Sequence, residues 1–224
     1  MKSKLMAAAA LVAMGGAAQA QLVNGSFETP AAPGSAPFYA AYANGADIGG
    51  WTVVGCGVAC ASDAVTLLNN QAATLPGLTG HVTPYGNQWI DLTGDGNFGL
   101  SSVTQTIGGL VAGTVYTLSF ALGATSLHDA VVSVTAPGAS GTFTTFATGS
   151  SGGFANVWNT YSLDFTAGAS NTLTFTGVAA SGGPTSIGLD NITVTAVPEP
   201  SAYAMALAGL GALGFMARRR KSRA

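Results

Sequence analysis

The chain has 224 residues, of which 7% are charged and 32 are glycine, whereas about 25% of residues are charged in an average protein. All seven basic residues lie in the first four and last seven positions, so the segment 21–197 carries eight acids, no base and a formal charge of −8. A body without Lys or Arg cannot neutralise the phosphates of a nucleic acid, bind an anion through an arginine fork or form a lysine Schiff base. Composition therefore excludes nucleic acid as a partner and lysine-based catalysis.

The N-terminus has the three parts of a secretory signal peptide. Two lysines precede the uncharged apolar segment 5–18, and Ala18 and Ala20 provide a small-x-small cleavage site before Gln21. About fourteen apolar residues are few for a membrane span, although an uncleaved N-terminal anchor is the alternative. We therefore predict an exported protein whose signal peptide occupies residues 1–20.

Short segments rich in β-branched and aromatic residues alternate with turns that contain Gly, Pro or Asn. No body segment shows the 3.6-residue apolar period of a helix over a dozen residues. The predicted strands, in chain order, are 22–27, 51–54, 64–68, 88–92, 102–107, 115–122, 131–135, 143–147, 157–165, 172–176 and 187–195. This pattern predicts one all-β domain, a sandwich or a barrel.

Cys56 and Cys60 are the two cysteines of the chain. In an oxidising compartment a disulfide is expected. An extended chain would place residues four apart at about 13 Å, beyond the ~4.4–6.8 Å between the Cα atoms of a disulfide, so this loop must curl, as Gly55 and Gly57 allow. We predict a disulfide that pins one loop. A metal site is the weaker alternative, because no histidine is nearby.

The C-terminus combines a Pro-Glu-Pro motif, an apolar segment and a basic cluster, which are Pro198, Glu199 and Pro200, residues 202–217, and Arg218, Arg219 and Arg220. Sixteen helical residues reach about 24 Å, which is marginal against a hydrocarbon core of ~30 Å. This end resembles the PEP-CTERM sorting signal of Gram-negative bacteria that make exopolysaccharide. The resemblance implies processing by an exosortase near the Pro-Glu-Pro motif, after a transient inner-membrane anchor through a transmembrane helix. An ordinary C-terminal anchor is the alternative.

A second resemblance covers nearly the whole body through short motifs at 22–28 (LVNGSFE), 50–51 (GW), 90–94 (IDLTG), 105–107 (QTI), 113–120 (GTVYTLSF) and 189–194 (LDNITV). These motifs are similar to those of galactose-binding-like jelly rolls, which include carbohydrate-binding modules and the plant cell-wall family called domain of unknown function 642. The resemblance implies one jelly-roll β-sandwich at 21–196, followed by the sorting signal at 197–224.

Glu28 and Asp190 lie in the first and last of these motifs. In such jelly rolls the two chain ends pair in one sheet, and matching acids ligate a structural Ca²⁺. A hard cation requires six to eight oxygen ligands, and acids without basic partners must face water, accept N–H bonds or bind a cation. The resemblance therefore implies a structural calcium site at Glu28 and Asp190. The alternative is a solvated strand end and a turn acid.

The best candidate for a ligand-binding surface is Tyr85 with Asn87 and Gln88, at the entrance of a predicted strand. Sugar recognition uses aromatic faces for the apolar sides of the rings, flanked by amides and hydroxyls. The three tryptophans lie within predicted strands and are expected to be buried: Trp51, Trp89 and Trp158.

The sequence contains no recognisable catalytic arrangement: its two histidines are isolated, and no nucleophile elbow is present. We therefore predict an exported, non-enzymatic protein that binds polysaccharide or forms part of an exopolysaccharide or biofilm matrix at the cell surface. An acidic body favours neutral glycans, or anionic ones bridged by calcium. The alternative is a secreted enzyme that hydrolyses matrix glycans with a carboxylate pair.

Overall fold

The computed structural model describes residues 20–55, 64–74, 82–94, 100–124, 128–147, 157–179, 186–198, 207–214, 218 and 219. Within these ranges there are twelve strands: β1 Tyr39–Tyr42, β2 Asp47–Ile48, β3 Trp51–Val54, β4 Val65–Asn69, β5 Gln88–Asp91, β6 Ser102–Thr106, β7 Val115–Ala124, β8 Ala130–Ala136, β9 Ala139–Thr145, β10 Val157–Thr166, β11 Thr172–Val178 and β12 Gly188–Ala196. A 3-10 helix at Asn70–Thr74 follows β4.

The strands form two six-stranded sheets in which the pairs are antiparallel. Sheet one has the order β1-β4-β5-β12-β7-β10, and sheet two has the order β2-β3-β6-β11-β8-β9. From β5 onward most connections cross from one sheet to the other, as in a jelly roll. The prediction of an all-β jelly-roll sandwich is confirmed.

Alternating side chains of both sheets fill the space between them. In β11 the buried residues Leu173 and Phe175 alternate with the partly exposed threonines of the strand. Phe120 of β7 lies at the centre, with ring centroids 5.2 Å from both Phe143 and Phe175. Since aromatic rings bury large apolar areas and prefer edge contacts, this cluster joins the two sheets.

The predicted first strand, 22–27, is wrong, because this segment folds as a turn. Asn24 and Phe27 both have positive φ, at 51° and 53°, a region that interrupts a strand. The Asn24 side chain accepts a hydrogen bond from the Thr29 amide at 3.0 Å, and its backbone carbonyl accepts one from the Trp51 indole at 3.1 Å. Local side-chain hydrogen bonds therefore replace strand pairing here.

The two ends of the body nevertheless meet. The Ile192 amide of β12 donates to the Gly25 carbonyl at 2.8 Å. A Cβ atom on Gly25 would stand 2.0 Å from the Ile192 carbonyl oxygen, so only glycine permits this contact. The pairing register of β12 shifts between Asp190 and Thr193, which places an irregular strand end beside the turn.

Two short strands were not predicted. β1 pairs with β4, and β2 pairs with β3. Their sequences, YAAY and DI, are too short to show an apolar period, and each is a strand because a longer neighbour supplies its hydrogen bonds.

The C-terminal sorting region is described only in part. A helix occupies 207–214, and Arg218 and Arg219 are helical and exposed. No helix in the described part of the chain is long and apolar enough to cross a membrane. Cys56, Cys60, Ala18, Glu199, Pro200 and Arg220 lie outside the described residues, so the disulfide and the cleavage sites stay predictions.

Candidate functional site

The segment 82–88 lies on the outer face of sheet one, away from the core between the sheets. Along β12, Leu189 belongs to that core, so Gly188 and Asp190 point to the opposite face. Trp89 of β5 also belongs to a separate outer cluster, with Leu68 and Ala72. Asp190 and the segment that carries Tyr85 and Asn87 lie on this outer face, whereas the Gln88 side chain has the inward parity of the core residue Ile90 on β5.

Asp190 is completely buried beneath this segment, with 0% of its surface exposed. One carboxylate oxygen accepts a hydrogen bond from the Thr83 hydroxyl at 2.5 Å, and the other accepts one from the Asn191 amide at 2.6 Å. Burial raises the pKa of Asp190 from 3.8 to about 7, and the negative charge of Glu28 adds to the rise, while the two hydrogen bonds oppose it. Because the body has no Lys or Arg, no basic side chain offsets this cost.

Glu28 holds the other end of the same segment. Its Oε1 atom accepts hydrogen bonds from the amides of Asn87 at 2.7 Å and Gln88 at 3.1 Å. Gly86 makes the approach possible, because its φ is 149° and a Cβ atom there would lie 2.2 Å from Oε1. The structure therefore brings the two acids predicted for calcium to one short segment.

The donor atoms around these acids suit a hard cation. They comprise two carboxylates and the Thr83 hydroxyl, all oxygen, with no nitrogen or sulfur ligand among them. The described residues contain no group of three or more His, Cys, Asp or Glu side chains placed to hold one metal ion, so backbone carbonyls would have to complete the shell. A buried acid without a basic partner fits a cation, since the ion would offset the charge that burial disfavours.

Asn70 orders the segment from the side of the 3-10 helix. Its amide nitrogen donates to the carbonyls of Thr83 at 3.1 Å and Gly86 at 3.0 Å, and its oxygen accepts from the Thr83 amide at 2.8 Å. Sequence reasoning missed this residue, because nothing in the local pattern links it to a segment thirteen residues downstream.

The Gln88 side chain is turned into the protein, whereas the sequence predicted that it contacts a ligand. Its side chain is buried, with Oε1 accepting from the Ala32 amide at 2.5 Å. Its Nε2 donates to the carbonyls of Phe27 at 2.8 Å and Pro30 at 3.0 Å. These bonds occupy both ends of the amide, so Gln88 holds the segment that carries Glu28 and does not face a ligand.

Trp158 of β10 lies flat against sheet one. Cβ atoms placed on Gly123 and Gly188 would stand 2.8 Å and 2.9 Å from its ring atoms, so these two glycines make room for the indole. The indole N–H donates to the Val82 carbonyl at 2.7 Å. Burial is confirmed for Trp51 and Trp89, but Trp158 is only half-buried.

Tyr85 stands at the edge of this indole. The two ring centroids are 6.2 Å apart and the planes meet at 81°, and the Tyr85 hydroxyl lies 3.2 Å from the Thr160 hydroxyl. Thr160 and Asn87 are exposed. Trp158, Tyr85, Thr160 and Asn87 form a surface, called the aromatic surface below, that combines two partly exposed rings with hydroxyl and amide groups.

The described residues thus form a jelly-roll module that carries an acid pair and an aromatic surface on one outer face. Residues 20–186 match the model of the family described as Protein of unknown function (DUF642), and the chain belongs to that family. Residues 196–221 match the PEP-CTERM protein-sorting motif. This motif marks an exported protein that is sorted to the cell surface. No curated protein matches the chain.

Three solved structures that match the chain are distant in sequence. TmCBM61 in complex with beta-1,4-galactotriose is 16% identical, with a TM-score of 0.42 and coverage of 78% of this chain and 96% of that chain. CBM35 from Paenibacillus barcinonensis is 17% identical, with a TM-score of 0.37 and coverage of 70% and 99%. The enzymatically active domain of tailspike protein 4 of bacteriophage CBA120 is 17% identical, with a TM-score of 0.43 and coverage of 70%, and this chain spans 21% of its length.

The raised pKa of Asp190 predicts that the stability of the metal-free protein depends on pH. Between 3.8 and about 7 the folded carboxyl keeps its proton while the unfolded one has lost it. Unfolding therefore releases a proton, and the free energy of unfolding falls as pH rises through this window, by an amount on the order of a few kcal/mol.

We expect the thermal midpoint in EDTA to be lower at about pH 8 than at about pH 5. Asp190→Asn should show a clearly smaller difference between the two conditions, because it has no proton to lose at this position. Equal pH dependence in the wild type and the variant would contradict this assignment.

Proposed function

We propose that this protein binds neutral polysaccharide outside the cell through the aromatic surface. The observation that carries the proposal is the Trp158 indole, which lies flat on Gly123 and Gly188 and is fixed by its bond to Val82. An aromatic ring stacks on the apolar face of a sugar ring, and neighbouring hydroxyl and amide groups bond the sugar hydroxyls. The Thr160 hydroxyl and the Asn87 amide supply such groups.

Preorganisation supports the same proposal. Binding loses free energy when side chains and loops become ordered, and here the segment and the two rings are already held in place. Asn70 and Glu28 hold the segment that carries Tyr85, and the Tyr85 and Trp158 rings contact each other edge to face. A ligand on this surface therefore meets groups that are already in place.

Charge supports a neutral ligand. The body has a formal charge of −8 with no basic residue, so a polyanion is repelled unless a cation bridges it. A neutral glycan carries no such cost.

Wild-type protein should therefore be retarded in native gels that contain dextran, β-1,4-galactan or hydroxyethylcellulose. Trp158→Ala should weaken binding about tenfold or more, equivalent to about 1.4 kcal/mol, because it removes the stacking ring. Trp158→Phe should bind at an intermediate level, since it keeps an aromatic face.

The matched control is Thr195→Ala, an exposed residue on the same outer face, which should bind as the wild type. Thermal melts establish that each variant is folded. Unchanged binding by folded Trp158→Ala would refute the aromatic surface as the site. Release of new reducing ends from the polymer would instead support the alternative function, a secreted enzyme acting on matrix glycans.

The proposal includes a structural Ca²⁺ held by Glu28 and Asp190 with the Thr83 hydroxyl. The cation would tie the segment that carries Tyr85 to β12, and so stabilise the aromatic surface indirectly. It would also favour the ionised form of Asp190, whose pKa burial raises to about 7.

Excess Ca²⁺ added after EDTA should raise the thermal midpoint near neutral pH by about 5–10 °C, corresponding to about 2.7 kcal/mol at a hundredfold excess over the dissociation constant. Glu28→Gln and Asp190→Asn should abolish this response. Asp164→Asn should keep it, because Asp164 is an exposed acid bonded to Thr117. An identical midpoint with EDTA and with Ca²⁺ would exclude the calcium site.

The proposal also places the protein in an exopolysaccharide or biofilm matrix, without enzymatic activity, after processing by an exosortase at the inner membrane. The family match of the sorting motif begins at residue 196, where β12 ends at Ala196. The Val197 amide still bonds to the Val115 carbonyl at 2.9 Å, so the Pro-Glu-Pro motif follows the folded body directly.

Mass spectrometry of the protein recovered from the native host should show a start at Gln21 and loss of Arg218, Arg219 and Arg220. The physical reason is that both charged ends act as signals for delivery and are not needed by the folded body. A released protein that retains the basic tail would contradict exosortase processing.

A further inference from the structure

Both ends of the body leave the sandwich at the same place. The Gln21 amide donates to the Gly108 carbonyl at 2.9 Å, and the Val197 amide donates to the Val115 carbonyl at 2.9 Å. Gly108 lies in the connection between β6 and β7, and Val115 is the first residue of β7. The predicted signal peptide precedes Gln21 and the sorting signal follows the body, so both membrane-directed segments start from this end of the sandwich.

The connection between β10 and β11 closes the same end. The Gly113 amide donates to the Ala167 carbonyl at 2.9 Å, and the Ala167 amide donates to the Thr114 carbonyl at 3.0 Å. The Ile107 amide donates to the Asn171 carbonyl at 2.8 Å. These bonds join the two connections into one surface, called the terminal end below, which consists of residues 20–22, 107–115, 166–171 and 196–198.

The terminal end carries no charged side chain. None of its four segments contains Asp, Glu, Lys or Arg. Asp164 lies two residues before the end of β10, on the outer face of sheet one, where its Oδ1 accepts from the Thr117 hydroxyl at 2.6 Å. At the opposite end of the sandwich, Asp91 is the last residue of β5 and Asp129 directly precedes β8. Since anionic lipid headgroups repel acids, the terminal end is the part of this acidic body best suited to approach a bilayer.

The terminal end also exposes apolar side chains. Val111, Val115 and Val197 have 50%, 41% and 38% of their surface exposed. The turn that presents Val111 is tied to the core, because the Val111 amide donates to the hydroxyl of the buried Tyr116 at 3.0 Å. Single exposed valines are ordinary, but here they project from an uncharged surface beside both membrane-directed segments. Apolar side chains in such a position suit the boundary between lipid headgroups and acyl chains.

The link between the body and the apolar C-terminal segment is short. Residues 198–201 separate Val197 from the apolar segment 202–217, and four residues span at most about 14 Å. While that segment is anchored in the inner membrane, the terminal end is held within this reach of the bilayer. The tether gives the lipid surface a high effective concentration, so a weak apolar contact is sufficient.

The same tether argues against a second copy of this chain as the occupant. Two copies anchored in one membrane both direct the terminal end toward the bilayer. The two ends therefore cannot meet face to face, and lipid is the surface that both of them reach.

We infer that the terminal end rests on the bilayer surface while the protein is anchored, with Val111 and Val115 in contact with lipid. The inference rests on the proposed function for the anchor through the C-terminal segment. Trp158 is the second residue of β10, whereas Thr166, the last residue of that strand, belongs to the terminal end. The aromatic surface therefore points away from the membrane, toward polysaccharide, before the protein is released.

The test uses the full chain reconstituted in phosphatidylcholine vesicles that contain a photoactivatable phosphatidylcholine. Mass spectrometry after chymotryptic digestion maps the lipid cross-links, because the body has no Lys or Arg for trypsin. The test variant is Val111→Asp with Val115→Asp. The matched control, Val54→Asp with Phe146→Asp, adds the same charge at exposed apolar positions of the opposite end. Thermal melts establish that each variant is folded.

In the wild type, lipid should cross-link to peptides that contain Val111 and Val115 and to the C-terminal segment, and much less to peptides that contain Val54 or Phe146. The test variant should lose about tenfold or more of the cross-links at the terminal end, because a carboxylate is costly to place against acyl chains. It should keep those of the C-terminal segment, and the control should behave as the wild type.

Three results would overturn the inference. Cross-links confined to the C-terminal segment, or equal at both ends of the body, would do so while leaving the anchor and the aromatic surface standing. A dimer of the full chain in detergent that dissociates in the test variant would assign the terminal end to a second copy. Absence of cross-links from the whole chain would remove the proposed anchor as well.

Discussion

The buried carboxylate of Asp190 is the constraint on which the outer face of sheet one depends. The body of the chain contains no Lys or Arg to neutralise it. Within the described part of the chain, its two oxygens accept hydrogen bonds from the Thr83 hydroxyl and the Asn191 amide. The segment 82–88 is consequently drawn over β12. Glu28 holds the far end of the same segment through the amides of Asn87 and Gln88. A structure without positive charge thus uses its acids as acceptors for backbone and hydroxyl groups.

The position of this segment determines the aromatic surface. Val82 accepts the hydrogen bond that orients the Trp158 indole, and Tyr85 packs at the edge of that ring. Gly123 and Gly188 belong to two other strands, and both must lack a Cβ atom for the indole to lie flat. The acid pair and the candidate binding surface therefore share the segment 82–88, which contacts both.

The two outer faces of the sandwich differ in their covering and in their composition. Sheet one covers part of its outer face with a segment that buries Trp89 and Asp190. Sheet two leaves its face open, with Thr, Ser and Val at the outward positions and Asp47 on the edge strand. Hydroxyls of Ser and Thr bond to each other between β6 and β11. Neither face contains a Lys or Arg.

The sequence alone determined the features that depend on composition and local period: an exported chain, a short C-terminal apolar segment with a basic end, and an all-β body with long strands such as β7 and β10. It also pointed to Tyr85, because an aromatic residue beside amides at a strand entrance is visible in one dimension, while the resemblance to galactose-binding-like jelly rolls pointed to Glu28 and Asp190. Only the tertiary structure decided that 22–27 is a turn, that Gln88 is a buried brace and that Trp158 is partly exposed. These outcomes depend on partners far away in the chain, such as Gly188 beneath Trp158 and Phe27 beside Gln88, and contacts at that separation leave no periodic trace in the sequence.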